Sequence, residues 1–170
     1  IPQLEGRLVG PNSLGNKIHA LHMESRGSSF STREEENPLR TTDQWFRPVH
    51  CTVGPDGAIY IADFYDARIT HVDPRDNWDR SNGRIHRIRT RSSTARKFPD
   101  LGSLSSSQLA DLLLEKNQWA RRHARRLLRS RNDPPALEEL GRYLTNYKID
   151  NESSKQRALE ALWILQGSSL

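Results

Sequence analysis

Residues 49–62 read VHCTVGPDGAIYIA, a stretch that places a tight turn between two short apolar runs. In the turn, Pro55 fixes φ at the second position, Asp56 can bond its own backbone, and Gly57 permits a positive φ. The flanking runs contain β-branched and aromatic residues, which favour strands. The stretch therefore predicts an antiparallel β-hairpin, with strands at residues 49–53 and 58–62.

Strand patterns continue on both sides of this hairpin. Short apolar runs bounded by turn-forming residues predict three further strands, at residues 17–24, 68–72 and 83–88. The segments 6–16 and 25–42 are rich in turn formers and polar residues, so we expect both to be irregular. Four short antiparallel strands between residues 49 and 88 are typical of one blade of a β-propeller.

After residue 104, apolar residues recur at helical spacing. Ser105 and Gln108 have the spacing of a capping box, and Asp133 followed by Pro134 is typical of a helix start. A fourth helix is expected to begin at Ser153 or Ser154. The residues predicted to be buried are Leu109, Leu112, Leu113, Ala120, Ala124, Leu127, Leu128, Leu137, Leu140, Leu144, Ala158, Leu162 and Leu165. Four helices of ~10–14 residues joined by short loops suggest stacked hairpins of the HEAT type.

The change in pattern divides the chain and gives a fold class of β followed by α. We expect residues 1–91 to be the C-terminal part of a β-propeller, 92–103 to be a linker, and 104–170 to be an α-helical, HEAT-like repeat region. A propeller closes with at least about four blades of four strands. The predicted strands are too few for that, so we expect the chain to be a piece of a larger protein.

The composition excludes several protein classes. Among the 170 residues, no apolar run approaches the ~20 residues needed to cross a bilayer. One cysteine, Cys51, excludes an internal disulfide framework and a cysteine-based zinc site. The net charge is +5, and its excess lies largely between residues 115 and 131. The positive charge is therefore mostly a property of the predicted second helix.

An ordered set of motifs in the β half resembles one family of exported bacterial proteins. The motifs are GPNSLGNKIHA at 10–20, DQWFRPV at 43–49, VGPDGAIYIADFY at 53–65, ITH at 69–71 and GRIHRI at 83–88. They are similar to those of membrane-bound dehydrogenases of planctomycete and verrucomicrobial type. Members of that family carry a propeller like that of glucose/sorbosone dehydrogenases, then HEAT-like repeats, and often a C-terminal cytochrome c domain with a CxxCH motif.

The resemblance implies a periplasmic or otherwise exported dehydrogenase that oxidises a sugar or an alcohol. It also implies a quinone and calcium in the full propeller, and haem c in a separate cytochrome c domain that receives the electrons. This chain has no CxxCH motif, and the family's catalytic histidine and calcium ligands come mostly from earlier blades. We therefore expect the chain alone to be inactive. The alternative is a non-catalytic propeller–solenoid scaffold that binds glycans or proteins.

Two residues are candidate ligands for the implied quinone. In similar propellers, an arginine before a Pro-Asp-Gly turn reaches the central pocket and pairs with quinone carboxylates, and Arg47 stands at a similar place. The planar fork of arginine suits that task. The alternative for Arg47 is an inter-blade salt bridge. His50, on the same strand, can face the central channel as a ligand or serve as a structural donor.

A second candidate group lies at strand ends and in loops, where propellers place functional side chains. It consists of Asp63, Tyr65, Asp66, His71 and Asp73. Carboxylates close to backbone carbonyls suit calcium, and an aspartate held near a substrate proton can act as a general base. The alternative is that these aspartates cap turns and that the tyrosine packs between blades.

The predicted second helix carries a cluster of arginines. The five residues are Arg121, Arg122, Arg125, Arg126 and Arg129. They can bind phosphates, a membrane surface or an acidic protein. The alternative is a solvated or inter-repeat face. Nucleic acid is disfavoured as a partner because the only aromatic platform nearby is Trp119.

Overall fold

The computed structural model describes residues 1–70, 72–91, 97–146, 148 and 150–167. The chain divides into two compact units, Ile1–Ala95 and Arg96–Leu170. All strands of the described residues lie in the first unit and all their α-helices in the second. The predicted order of β followed by α is therefore confirmed.

The first of two antiparallel sheets is built around one long strand. Its strands are β1 (Leu8–Asn12), β2 (Lys17–Arg26), β3 (Ser29–Glu34) and β4 (Leu39–Arg40). β2 pairs with the other three strands. The prediction that residues 6–16 and 25–42 are irregular is therefore wrong. No apolar alternation marks β3, which is mostly exposed and polar, so its strand conformation depends on its pairing with β2.

The second sheet contains the predicted hairpin. Its strands are β5 (Pro48–Val53), β6 (Ile59–Asp63) and β7 (Arg84–Ile88), with β6 in the centre. In the turn, the Gly57 N–H donates to the Gly54 carbonyl at 3.0 Å, and Gly57 has a φ of 75°. The Ala58 N–H donates to the Asp56 carboxylate at 3.1 Å. The hairpin and its turn chemistry are thus confirmed.

The strand predicted at residues 68–72 is wrong for the part of it that the structure describes, which excludes His71. The carboxylate of Asp66 accepts the N–H of Arg68 at 2.8 Å and the N–H of Asp79 at 2.7 Å. Because a side chain binds these backbone donors, the segment folds as a loop instead of joining a sheet. The second sheet consequently has three strands among the described residues, where four were predicted.

One apolar core lies between the two sheets. Its buried residues are Ile18 on β2, Phe46 before β5, and Ile59 and Ile61 on β6. Cys51 packs against this core and is half-buried, and burial raises the pKa of its thiol. The opposite face of the second sheet carries apolar residues that remain exposed, most clearly Ile85 on β7 with 79% of its surface accessible. The second sheet therefore uses one face for the core and leaves the other open.

The helices of the second unit are α1 (Ser106–Asp111), α2 (Gln118–Arg131), α3 (Pro134–Asn146) and α4 (Glu152–Leu165). Ser105 and Gln108 form the predicted capping box at the start of α1. A second capping box joins Asn151 to Ser154, so α4 is capped by Asn151 and not by a serine. No helix in the described part of the chain is long and apolar enough to span a bilayer.

Eight of the thirteen residues predicted to be buried are buried, and six of these belong to the core of the helical unit. Its buried members are Leu101, Leu109, Leu113, Ala124, Leu128, Leu137, Leu140, Ala161 and Ile164. Leu162 was predicted to be buried and is 53% exposed. The segment from Ala158 to Leu165 is apolar on nearly every face, so helical periodicity alone does not decide which face packs inward.

The predicted linker, 92–103, lies partly outside the described residues, which resume at Lys97. Its second part packs on the helical unit. The rings of Phe98 and Trp119 have centroids 5.8 Å apart, and Leu101 is buried in the core. The carboxylate of Asp100 accepts the Gly102 N–H at 2.9 Å and so caps a short 3-10 turn. Residues 97–103 are thus an ordered entry to the helices.

Candidate functional site

The carboxylate of Asp63, at the end of β6, has four hydrogen-bond partners in the first unit, and its side chain is wholly buried. Its Oδ1 atom accepts the backbone N–H groups of Arg47 at 2.7 Å and of Tyr65 at 3.0 Å. Its Oδ2 atom accepts Nε of Arg84 at 2.8 Å and lies 3.0 Å from Nε2 of His86. β7 supplies both of these side chains, because Asp63 pairs with Arg84 in the β6–β7 register.

The surroundings of Asp63 keep it ionised. Burial raises the pKa of this carboxyl group, but hydrogen bonds from Arg47, His86 and Arg84 outweigh burial, and the pKa falls below its usual 3.8. For Arg84 the signs are reversed, because burial lowers the pKa of a guanidinium. The hydrogen bonds from Arg84 to Asp63 and Asp43 outweigh burial, so the pKa of Arg84 rises above its usual value. The cluster therefore pairs a buried, ionised carboxylate with a half-buried arginine.

Tyr65 lies against this cluster. The guanidinium carbon of Arg84 stands 3.5 Å from the centroid of the Tyr65 ring, and the Trp45 ring centroid is 5.7 Å away. Tyr65 has a φ of 53°, in the left-handed region. The hydrogen bond from its N–H to Asp63 helps to hold that conformation. The observed contacts of Tyr65 are those of a packing residue.

Arg47 lies close to the same cluster, and its side chain points to backbone carbonyls. The residue is only 8% exposed. Its Nε donates to the Asp66 carbonyl at 3.0 Å, and its terminal nitrogens donate to the carbonyls of Ser13 and Ala67, each at 3.2 Å. The quinone-binding role stays a prediction, but these three bonds occupy the guanidinium with the loop that follows β6 and with the β1–β2 turn.

The remaining predicted residues are dispersed. Asp66 is buried and binds the backbone of its own loop, while Asp73 accepts the guanidinium of Arg75. His50 lies exposed on β5, and His71 lies outside the described residues. Within the described ranges, no three His, Cys, Asp or Glu side chains come together as a group that could hold a metal ion.

His86 was not among the candidate residues chosen from the sequence, and the structure places it beside Asp63. Its half-exposed ring donates through Nε2 to the carboxylate, since an ionised Asp63 can only accept. The signal in the sequence was the alternation Arg84-x-His86 on a strand next to one that ends in aspartate.

The helical unit contains a second polar site, a groove lined by arginines of α2. Its volume is about 440 Å³, and its lining residues are Arg122, Arg125, Arg126, Arg129, Ser130 and Gly167. Arg125 also pairs with Glu160 of α4 at 2.9 Å. Four of the five arginines singled out in the sequence therefore line one groove.

Comparison with known protein families gives one match, which covers residues 2–92 and is described as a domain of unknown function, DUF7133. The chain belongs to the DUF7133 family. The match spans the whole of the two-sheet region, including Arg47, Asp63 and His86. No curated protein and no solved structure matches the chain.

Proposed function

We propose that the chain is part of an exported, propeller-type dehydrogenase. In this proposal the full protein oxidises a sugar or an alcohol and passes the electrons to a haem domain outside this chain. The two sheets of the DUF7133 region serve as propeller blades, and the helical unit serves as the start of a HEAT-like array. The observation that carries the proposal is the packing of two successive antiparallel sheets on one core while the second sheet keeps an open face.

A propeller blade that is separated from its neighbouring blades exposes the faces and the edge strands of its sheet. On the second sheet, Ile85 of β7 is mostly exposed, and Val49 of β5 is exposed as well. β5 and β7 are also edge strands, each with one partner in its sheet among the described residues. Exposed apolar side chains and unpaired edges are unfavourable in water. Neighbouring blades cover both in a closed propeller, which supports this architecture.

Support for the dehydrogenase activity comes from the ordered motifs between residues 10 and 88, which resemble those of the membrane-bound dehydrogenases. The described residues do not fit a quinone or a calcium ion. The guanidinium of Arg47 is occupied by three carbonyls, and the carboxylates of Asp63 and Asp66 are occupied by N–H donors. The proposal therefore assigns both cofactors to other parts of the full protein.

The proposal is tested with the full-length protein that contains this chain. The assay measures reduction of an artificial electron-acceptor dye in the presence of calcium, a quinone and a panel of sugars and alcohols. The expected result is reduction that depends on one substrate class and on added quinone. Absence of reduction across the panel, together with absence of quinone or calcium uptake, would contradict the dehydrogenase proposal.

A non-catalytic scaffold that binds glycans or proteins is the second candidate. The observation that favours it is the internal satisfaction of the loop groups, since Arg47, Asp63 and Asp66 all bind within the domain. Groups that are bound in this way position the loops and are not available to bind or react with a substrate. Specific retention of the full-length protein on a glycan array, without dye reduction, would support the scaffold.

A further inference from the structure

We propose that the arginine groove of α2 binds a tetrahedral oxoanion, a phosphate or sulfate group carried by a small molecule or a glycan. This site lies in the helical unit and is independent of the function proposed for the DUF7133 region. The groove is defined by Arg122, Arg125, Arg126 and Arg129 with Ser130 and Gly167.

Three of these arginines form one face of the helix. Arg122, Arg126 and Arg129 are spaced at i, i+4 and i+7, so their side chains follow one stripe. The stripe points away from the core, because Ala124 and Leu128 on the other side of α2 are buried. Like charges at this spacing repel each other and destabilise a helix. A bound anion would remove that repulsion.

The other arginines of α2 are occupied by the protein itself. Arg121 donates to the carbonyl of Glu115, Arg125 pairs with Glu160 at 2.9 Å, and Arg131 donates to the carbonyl of Gly102 at 2.8 Å. By contrast, Arg122, Arg126 and Arg129 are exposed and have no hydrogen bond or ion pair to any residue that the structure describes. α2 thus carries two sets of arginines, one bound within the protein and one exposed along the groove.

The end of α4 shapes one wall of the groove. A Cβ atom added to Gly167 would lie 2.0 Å from Nη2 of Arg129, so this guanidinium rests directly on the glycine backbone. The resulting volume of about 440 Å³ is within the range of small-molecule sites. Arg125, whose guanidinium is held in place by Glu160 and whose charge that carboxylate offsets, forms part of the same wall. The groove is therefore partly preorganised.

The chemistry of the lining selects the ligand. Guanidinium groups bind oxoanions through paired N–H donors, and a doubly charged group offsets several of them at once. A nucleic acid is a poorer fit, because single strands stack their bases on free aromatic rings. Trp163, which is 41% exposed, has the Arg125 guanidinium over its ring, 4.9 Å from the centroid. The nearby Trp119 ring is packed between Phe98, with centroids 5.8 Å apart, and His123, with centroids 4.3 Å apart. A phosphate or sulfate group meets the described donors without base stacking.

The test is isothermal titration calorimetry of the 170-residue chain with inorganic phosphate and, separately, with inorganic sulfate at low ionic strength. The test variant is R122Q/R126Q. The matched control is R26Q/R142Q, which removes the same net charge from two exposed arginines outside the groove. Circular dichroism melting verifies that both variants fold. The arm with the tighter binding identifies phosphate or sulfate as the preferred group.

We expect saturable binding that R122Q/R126Q weakens at least about tenfold, because a charge-assisted hydrogen bond contributes about that factor or more. The control should change the affinity less than about twofold. G167A should also weaken binding, since it displaces the Arg129 guanidinium without changing charge. Equal losses in the two double variants, or no saturable binding of either ion, would overturn the proposal.

Discussion

Buried Glu160 on α4 forms an ion pair with half-buried Arg125 on α2, with its Oε2 atom 2.9 Å from Nη1 of the arginine. Glu160 is 3% exposed. Its other carboxylate oxygen accepts the side-chain amide of Gln156 at 2.8 Å. Arg125 also lies over the Trp163 ring, 4.9 Å from its centroid. One buried carboxylate thus connects the second and fourth helices and fixes an arginine at the wall of the groove.

We expect Glu160→Gln to destabilise the chain by about 1–3 kcal/mol, because it removes the charge that compensates Arg125 in a buried setting. The loss is limited because the arginine is partly exposed and can be hydrated. Urea denaturation measures the effect. The matched control is Glu139→Gln on the exposed face of α3. Equal stability of the two variants would show that the pair contributes nothing to the packing of α2 on α4.

Asp63→Asn is expected to destabilise the first unit by about 2–3 kcal/mol, because it leaves buried hydrogen-bond donors without a full acceptor. All four partners of this carboxylate donate hydrogen bonds, so an amide NH2 group would face donors on at least one side. Thermal melting followed by near-UV circular dichroism measures the loss. Asp76→Asn, which removes an exposed carboxylate, should stay within about 0.5 kcal/mol.

Arg47→Met is expected to cost about 2–4 kcal/mol, because three carbonyl oxygens around the buried side chain would lose their donor. Arg47→Lys should recover part of this loss, since an ammonium group can reach some but not all of them. Chemical denaturation of the two variants gives the order of stability. If Arg47→Met were as stable as the unmodified chain, the guanidinium would have no structural role and its predicted ligand role would gain support.

Local sequence patterns predicted those elements whose stabilising contacts are also local. The turn at residues 54–57 needs only Pro55, Asp56 and a glycine with positive φ. The capping box of α1 needs only Ser105 and Gln108. Each pattern specifies its own hydrogen bonds, so no knowledge of the rest of the fold is required.

Elements that depend on distant partners were missed. β3 is polar and forms because β2 offers a backbone ladder. The described residues of 68–72 do not form the expected strand, because the Asp66 carboxylate accepts the backbone N–H groups of Arg68 and Asp79. The pairing of Asp63 with His86 depends on the β6–β7 register, which a single strand pattern does not specify. Side-chain capture and strand register are tertiary effects, so the candidate site was predicted only in part.

The pH dependence of the first unit should include a contribution from Glu34 on β3. A hydrogen bond from Lys17, with further bonds from Asn37 and His19, lowers the pKa of this carboxyl group from 4.5 to about 2. Because the folded-state pKa is the lower one, the unfolded chain binds the proton more readily. The stabilisation is therefore fully present above about pH 4.5 and is lost as the pH falls towards 2.

Melting temperatures recorded between pH 6 and pH 2 measure this effect. We expect Glu34→Gln to melt at a lower temperature than the unmodified chain at pH 6, and the two to converge near pH 2, where the carboxyl group of Glu34 becomes protonated. The matched control is Glu36→Gln, since Glu36 is exposed and has no ion pair with any residue in the described ranges. A difference between Glu34→Gln and the unmodified chain that stayed constant down to pH 2 would mean that the contacts of Glu34 stabilise the fold without its charge. Convergence would assign the acid sensitivity to the ion pair that joins β2 to β3.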